Sequence, residues 1–325
     1  MLSQLALIAG GLVLLLWGAE RFVAGASASA RLLGMSPLLI GLTIVAFGTS
    51  APEIMVSAAA ALDGSPGLAV GNAVGSNIAN IGLVLGVAAL LAPLQVQDGL
   101  VRRELPLLLL ASVLCLVLLL DDHLGRLDGV LLLAGLVALL AWFVRVARRP
   151  GETPPTVAST GAATAAAAQL PMGRALAWLL IGLITLLAGA HLAVMGAQAL
   201  ALTLGIDELV VGVTVLAVGT SLPELAVTAV AALRREHELA LGNIVGSNLF
   251  NLLAVIGTAG LIGPAPLSPG VLTFHYPVML GFTVALFLMA YNWRGGGGGR
   301  INRREAVVLL IAFLVYHGGV LTELS

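Results

Sequence analysis

The sequence predicts an all-α membrane protein with ten transmembrane helices, arranged as two inverted five-helix repeats with one broken helix in each. Three observations lead to this prediction. The 325 residues are 59% hydrophobic and only 10% charged, with a mean hydropathy of +1.08. The stretch Gly41–Glu53 recurs almost unchanged at Gly212–Glu224. The arginines, finally, are concentrated in alternate loops.

Composition excludes several classes of protein. A membrane-spanning helix needs about 20 apolar residues, so the chain has room for about ten spans and no separate soluble domain. All 15 basic residues are arginine, and without lysine the chain lacks the phosphate-binding loop of nucleotide-driven pumps. A His-Glu-x-x-His zinc helix is also absent from the sequence. We therefore expect a transporter rather than an enzyme, embedded in the lipid bilayer, with no cofactor and no nucleotide or nucleic acid partner.

Hydropathy and its interruptions place five helices in each half of the chain. In the first half they cover about residues 2–30, 36–62, 68–91, 105–120 and 127–146. In the second half they cover about residues 175–202, 207–233, 239–261, 271–291 and 306–321. The predicted organisation is a first repeat at 1–146, a linker at 147–172 that is rich in Pro, Thr, Ser and Ala, and a second repeat at 173–325.

The duplication keeps one register over most of each half. The offset between Glu53 and Glu224 is 224 − 53 = 171, and the same offset relates Gly18 to Gly189 and Asn72 to Asn243. Such a constant spacing indicates duplication of a whole half. An odd number of spans per repeat makes the two halves enter the bilayer from opposite sides, which predicts an inverted repeat.

The arginines predict the orientation. With ten spans, thirteen of them lie in loops on one side of the membrane, and only Arg126 lies in a loop on the other. By the positive-inside rule this places both termini outside and the 147–172 linker in the cytoplasm. We expect a multi-pass protein of the plasma (inner) membrane. Within the first span, Glu20 and Arg21 are expected to neutralise each other.

The repeated stretch carries the polar chemistry. Pro52 and Pro223 each remove a backbone donor, which frees the carbonyl four residues earlier for another partner. Each proline precedes a glutamate, Glu53 or Glu224. A carboxylate costs about 2.5–3.5 kcal/mol at the centre of a membrane helix, so two at equivalent positions indicate a function. Helical spacing places two hydroxyls beside each carboxylate. These hydroxyls belong to Thr49 and Ser50 and to Thr220 and Ser221.

A second polar layer follows in the next helix of each half. Ser76 and Asn80 are four residues apart, as are Ser247 and Asn251, so each pair shares a helix face. The other asparagines of these segments fit either ligand roles or hydrogen bonds between helices. Oxygen donors without Cys or His indicate Ca²⁺, Na⁺ or Mg²⁺. Two adjacent carboxylates in an empty site would repel each other, which also makes H⁺ a competitor.

Gly48-Thr-Ser-Ala-Pro-Glu53 and Gly219-Thr-Ser-Leu-Pro-Glu224 resemble the alpha-repeat signatures of the calcium/cation antiporter superfamily, and the chain is similar to prokaryotic sodium/calcium exchangers. The resemblance covers essentially the whole sequence. It implies a ten-helix inverted-repeat fold and electrogenic exchange of Na⁺ for Ca²⁺, with Ca²⁺ leaving the cytoplasm.

The resemblance also implies ligands. Ca²⁺ would be bound by the carboxylates of Glu53 and Glu224 and the carbonyls of Thr49 and Thr220, with Asn80 and Asn251 completing the central layer. The flanking Na⁺ sites would use the carbonyls of Ala46 and Ala217 and the hydroxyls of Ser50, Ser221, Ser76 and Ser247. Some relatives, including K⁺-dependent ones, carry an acid at the position of Asn251, so K⁺ coupling is disfavoured. H⁺/Ca²⁺ exchange and K⁺-dependent exchange remain alternatives, and a cation channel is a less favoured one.

Overall fold

The computed structural model describes residues 1–64, 66–147, 170–205, 217–267, 270–293 and 299–324. The helices and strands of the first half are α1 Leu2–Leu33, α2 Pro37–Ile40, α3 Ala46–Thr49, α4 Ala51–Leu62, α5 Pro66–Ala79, α6 Gly86–Leu91, β1 Leu94–Gln95, α7 Leu105–Leu118, β2 His123–Leu124 and α8 Arg126–Ala147. Those of the second half are α9 Met172–Thr203, α10 Ala217–Thr220, α11 Leu222–Leu233, α12 His237–Phe250, α13 Ile256–Ile262, β3 Ala265–Pro266, α14 Tyr276–Ala290, β4 Arg300–Ile301 and α15 Arg303–Leu324. Among the described residues, π-helical segments join some of these helices: π1 Gly41–Val45, π2 Asn80–Leu85, π3 Leu100–Glu104, π4 Asn251–Val255 and π5 Val271–His275.

The helices are those of a multi-pass membrane protein. Six of them, among the described residues, are long and apolar enough to cross a bilayer: Leu2–Leu33, Gly67–Leu91, Arg126–Val146, Met172–Thr203, His237–Ile262 and Val271–Ala290. A seventh span results if Pro37–Thr49 and Ala51–Leu62, which meet at 46°, are counted as one broken helix. Most of the 147–172 linker and part of the predicted 207–233 helix lie outside the described residues.

The order of elements in the first half recurs in the second at the offset seen in the sequence. Helix α4 corresponds to α11, α5 to α12 and π2 to π4, each starting 171 residues later. Strand β1 corresponds to β3 at the same offset. The sequence duplication is therefore a duplication of local structure, including features as short as a π turn.

The equivalent long helices α1 and α9 pack against each other in antiparallel directions. A Cβ built on Gly11 would lie 2.5 Å from the Ala193 nitrogen, and one on Gly25 would lie 2.5 Å from the Leu179 nitrogen. On the opposite helix, a Cβ on Gly189 would lie 2.3 Å from the Leu15 nitrogen. Glycines thus let the two backbones touch, as small residues do in membrane helix pairs.

The expected neutralisation of Glu20 by Arg21 is wrong. Glu20 instead pairs with Arg234 on the loop after α11, with 3.2 Å between Oε1 and Nη2. The Arg21 guanidinium lies over the rings of Trp178, at 4.6 Å, and Trp17, at 5.4 Å. Consecutive residues on a helix point about 100° apart, so the two side chains reach different neighbours.

Two short antiparallel strand pairs, which the sequence did not predict, tie the halves together. Strand β1 pairs with β4 through Leu94 and Ile301, and β2 pairs with β3 through Leu124 and Ala265. Each pair joins a loop of the first half to a loop of the second. In the predicted topology the first pair joins two cytoplasmic loops and the second joins two outer loops, so the observed pairing agrees with the predicted sides.

The α1–α9 contact generates a stability prediction. Gly11→Ala should destabilise the protein by about 1–3 kcal/mol, because the methyl group would collide with the α9 backbone. Gly10→Ala is the matched control: no atom lies within 4 Å of a Cβ at this neighbouring position. Thermal unfolding of both purified variants in detergent measures the difference. Equal melting temperatures would contradict the close contact.

Candidate ion-binding site

Both predicted helix breaks are present, and they have the same geometry. In the first half the break falls at Ser50, with φ −85° and ψ 3°, between α3 and α4. In the second half it falls at Ser221, with φ −86° and ψ 2°, between α10 and α11. Pro52 and Pro223 occupy the first turn of the helix that follows, where a missing N–H costs no helical hydrogen bond.

Each break brings a glutamate into the first turn of a new helix. Glu53 and Glu224 are both 1% exposed. The positive end of the helix dipole favours a carboxylate at this position. Neither side chain forms an ion pair with an arginine or histidine in the part of the chain that the structure describes, and the two carboxylates are close enough to repel each other. The site thus concentrates negative charge without a protein counter-charge.

Side chains from both halves surround Glu224. Its Oε1 accepts hydrogen bonds from the hydroxyls of Ser50, at 3.1 Å, and Ser247, at 3.5 Å. The Thr49 hydroxyl lies 3.4 Å from that of Ser247 and donates to Asn243 Oδ1 at 3.1 Å. The predicted residues Thr49 and Ser50 of the first half are therefore brought together with Glu224 and Ser247 of the second half, although the contacts between the halves join residues 174 and 198 positions apart in sequence.

Glycines allow this approach. A Cβ on Gly242 of α12 would lie 2.5 Å from the carbonyl oxygen of Leu38, and one on Gly246 would lie 2.7 Å from that of Leu42. Helix α12 therefore crosses the α2–π1 segment with backbones in contact, which positions Ser247 beside Thr49. Gly71 is the first-half counterpart of Gly242. The segment equivalent to 38–42, which would pack against it, is 209–213 and lies outside the described residues.

Four asparagines form a reciprocal layer between the halves. Asn80 Nδ2 donates to Asn248 Oδ1 at 3.1 Å, and Asn251 Nδ2 donates to Asn77 Oδ1 at 3.0 Å. Asn251 and Asn248 are the second-half equivalents of Asn80 and Asn77 at the offset of 171 residues, so the two hydrogen bonds are equivalent. Because the amide nitrogens of Asn80 and Asn251 are engaged, their Oδ1 atoms point elsewhere, and both are buried without a hydrogen-bond partner.

These amide oxygens belong to a larger set of unpartnered acceptors. Glu53 Oε2 and Glu224 Oε2 are also buried without a hydrogen-bond donor. A buried polar atom without a partner costs about 1–3 kcal/mol, and more if it is charged, so four such oxygens require an explanation. A desolvated hard cation is the kind of partner that carboxylate and amide oxygens accept. Within the described ranges, no three His, Cys, Asp or Glu side chains are arranged so that they could hold a metal ion.

Comparisons with known proteins identify the family of the chain. The model of the sodium/calcium exchanger protein family matches residues 3–145 and 174–321. The chain belongs to this family. It is 46% identical over 306 residues to the putative antiporter CaxA of Alkalimonas amylolytica, covering 94% of this chain and 95% of the relative. It is 33% identical over 339 residues to the sodium/calcium exchanger MaX1 of Methanosarcina acetivorans, covering 94% and 95% of the two chains.

A solved structure of the sodium-calcium exchanger NCX_Mj superposes on this chain with a TM-score of 0.83 at 32% identity, covering 98% of each chain. The family is one of membrane exchangers, in agreement with the expectation of a transporter rather than an enzyme. The superfamily resemblance seen in the sequence is thereby confirmed.

The other residues that were predicted as ion ligands differ in burial and in hydrogen bonding. The Ala46 carbonyl accepts both the Ser50 N–H, at 2.9 Å, and the Thr49 hydroxyl, at 3.2 Å. Ser221 Oγ is buried without a partner. Thr220 ends α10 and is 9% exposed, and Ala217 begins the same helix. Ser76 is buried on α5. The two halves are thus similar but not identical in their hydrogen bonding.

Two features of the site were not predicted. Asn80 and Asn251 each begin a π-helical segment, and a π turn rotates the following side chains relative to an α-helix and occurs often at functional sites. The side-chain oxygens of Asn248 and Asn77 accept hydrogen bonds from the amide nitrogens of Asn80 and Asn251, so Asn77 and Asn248 orient these two side chains. The sequence offered a partial signal for these residues in the duplicated Gly-Ser-Asn-x-x-Asn pattern.

The unpaired carboxylates predict that the ion-free exchanger is destabilised by its own site. Glu53→Gln should raise its stability by about 1–3 kcal/mol, because it removes one buried charge and the repulsion from Glu224. Unfolding would be measured in detergent with a chelator and without Na⁺. Asp63→Asn, at an exposed acid after α4, is the control and should change little. A less stable Glu53→Gln protein would contradict the absence of a counter-charge.

Proposed function

We propose that this protein is a secondary antiporter that exchanges Na⁺ for Ca²⁺ by alternating access and extrudes Ca²⁺ from the cytoplasm. The observation that carries the proposal is a pair of buried carboxylates, Glu53 and Glu224, each with one oxygen that has no hydrogen-bond partner, together with the buried, unpartnered amide oxygens of Asn80 and Asn251. Two negative charges neutralise one Ca²⁺ ion. If the same carboxylates serve Na⁺, the two cations exclude each other, and exchange follows from one shared site.

Each proposed ligand has an assigned ion. Glu53, Glu224, Asn80 and Asn251 would bind Ca²⁺ together with the backbone carbonyls of Thr49 and Thr220. The hydroxyls of Ser50, Ser221, Ser76 and Ser247 and the carbonyls of Ala46 and Ala217 would serve adjacent Na⁺ sites. The Ser50 and Ser247 hydroxyls already contact Glu224, which supports a Na⁺ position sharing this carboxylate. Use of the Ala46 carbonyl requires that one of its two hydrogen bonds be released.

We propose ten transmembrane helices in two inverted repeats, at 1–146 and 173–325, joined by a cytoplasmic linker at 147–172. The antiparallel packing of the equivalent helices α1 and α9 supports the inversion. The strand pairs support the assignment of loops to sides. Both termini would lie outside the plasma membrane. In the proposed inverted repeat, a pseudo-twofold axis relates the two halves. A conformation open to one side of the membrane then has a symmetry-related conformation open to the other side, as in other transporters with inverted repeats.

Exchange of several Na⁺ for one Ca²⁺ would be electrogenic, and each net charge moved across 100 mV contributes about 2.3 kcal/mol. This energy favours export of Ca²⁺ from a cell that is negative inside. Asn251 keeps the site at two formal negative charges, which argues against K⁺ as a third coupling ion. Repulsion between the empty carboxylates leaves H⁺ as the alternative counter-ion.

The transport test uses inside-out membrane vesicles loaded with Na⁺. We expect Ca²⁺ uptake that requires internal Na⁺ and is abolished in Glu53→Gln and Glu224→Gln, because each change removes half of the charge that binds Ca²⁺. Asp63→Asn serves as the matched control and should transport normally. Uptake that survives in both glutamine variants would refute the proposal.

Two further arms separate the alternatives. Uptake driven equally well by a pH gradient without Na⁺ would favour H⁺/Ca²⁺ exchange. Ca²⁺ flux that needs no counter-ion on the opposite side would indicate a channel.

The asparagine layer generates a separate prediction. Asn248→Leu should weaken apparent Ca²⁺ affinity about tenfold, because the nearly isosteric leucine cannot hold Asn80 Nδ2 and frees that amide to rotate. Maximal rate should change less. Asn72→Leu is the control, since Asn72 donates to Ser57 at 3.4 Å and does not contact the layer. Initial rates over a range of Ca²⁺ concentrations give both quantities. Unchanged affinity in Asn248→Leu would show that it does not orient Asn80.

A further inference from the structure

Arg21 lies where helix α1 passes from lipid-facing surface to protein interior. Before it, Leu12, Val13, Leu16 and Trp17 are exposed side chains of an apolar helix. After it, residues 22–30 are all buried. The segment from Leu2 to Arg21 is about 29 Å long at ~1.5 Å per residue, which matches the ~30 Å hydrocarbon thickness of a bilayer.

The neighbouring ion pair supports the same depth. Glu20 and Arg234 are 53% and 37% exposed at their side chains. A half-exposed ion pair is stable in the hydrated headgroup region and unfavourable among acyl chains. Arg21, the next residue, therefore lies at the level of the lipid headgroups, on the side that the topology assigns to the cytoplasm.

Arg21 itself has aromatic neighbours and no anionic partner. Its guanidinium stacks over Trp178 and Trp17, and it donates no hydrogen bond to a carboxylate or carbonyl among the described residues. These side chains and Ile181 line a recess of about 230 Å³ on the α1–α9 seam. Arg174 is exposed one helical turn before Trp178 on the same face.

We propose that this recess binds the phosphate headgroup of an anionic phospholipid from the cytoplasmic leaflet. Stacking holds the guanidinium flat and leaves its edge N–H groups free, and a guanidinium edge binds phosphate oxygens through two parallel hydrogen bonds. The tryptophans suit the boundary between headgroups and acyl chains, and Ile181, 48% exposed, offers apolar surface to the acyl chain. A recess that joins one cation to apolar walls selects a lipid over a soluble anion.

Because the recess lies on the α1–α9 seam, a bound lipid would bridge the equivalent helices of the two halves. Glu20 has no counterpart in the second half, where His191 occupies its position, and Arg21 corresponds to Leu192. The site is thus confined to one face of the membrane, and lipid composition in that leaflet alone would act on it.

The experiment measures lipid binding to the purified full-length protein by native mass spectrometry and thermal unfolding. The probes are phosphatidylglycerol, phosphatidylcholine and inorganic phosphate. Phosphatidylglycerol should bind and raise the melting temperature, whereas the other two should not. Arg21→Gln should weaken phosphatidylglycerol binding at least tenfold, and Arg145→Gln, at an exposed arginine near the end of α8, should bind like the unmodified protein.

Arg21→Lys and Trp178→Leu keep the proposal testable if Arg21→Gln folds poorly. The lysine variant should retain part of the affinity through its charge, and the leucine variant should lose affinity with the charge intact. Equal binding by Arg21→Gln and Arg145→Gln would overturn the proposal, as would equal stabilisation by phosphatidylcholine or by inorganic phosphate. Binding is measured without transported ions, so the outcome is independent of whether Na⁺/Ca²⁺ exchange is correct.

Discussion

The constraint on which the rest of the structure depends is the burial of Glu53 and Glu224 with no cationic side chain paired to them among the residues that the structure describes. Burial of one unpaired carboxylate is costly, and burial of two that repel each other is costlier. The surrounding structure reduces this cost without removing it. Each glutamate lies in the first turn of a helix, and the hydroxyls of Ser50 and Ser247 contact Glu224. One oxygen of each carboxylate still remains without a donor. In the proposed function a cation would bind the oxygens that have no protein donor, which would couple the stability of the site to ion occupancy.

Neither half can build this site alone. Ser50 of the first half contacts Glu224 of the second, Asn80 is oriented by Asn248, and Asn251 is oriented by Asn77. Gly242 and Gly246 make the crossing of α12 with the first half close enough for these contacts. A change in the relative position of the halves would therefore alter all of the proposed ligands together. Such cooperation suits a transporter that must release its ion when it changes conformation.

Most of the fold and much of the site could be predicted from the sequence, because local rules act strongly in membrane helices. Apolar length predicted ten spans, and six helices of the described residues, or seven with the broken pair, are long and apolar enough to cross a bilayer. The Pro-Glu pairs predicted the breaks at Ser50 and Ser221. Contacts between distant residues could not be predicted in the same way. The partner of Glu20 proved to be Arg234, and the π turns at Asn80 and Asn251 depend on packing that no single-helix pattern contains. The roles of Asn77 and Asn248 likewise became clear only when both halves were placed together.

The central claim is that Ca²⁺ and Na⁺ compete for one site between Glu53 and Glu224. Crystals of the protein soaked at high Ca²⁺ and then at high Na⁺ test it most directly, through the anomalous signal of calcium. We predict a Ca²⁺ peak within coordination distance of both carboxylates and of the Oδ1 atoms of Asn80 and Asn251, lost at high Na⁺. A Ca²⁺ peak that persists at high Na⁺, or that lies away from these four side chains, would contradict the account.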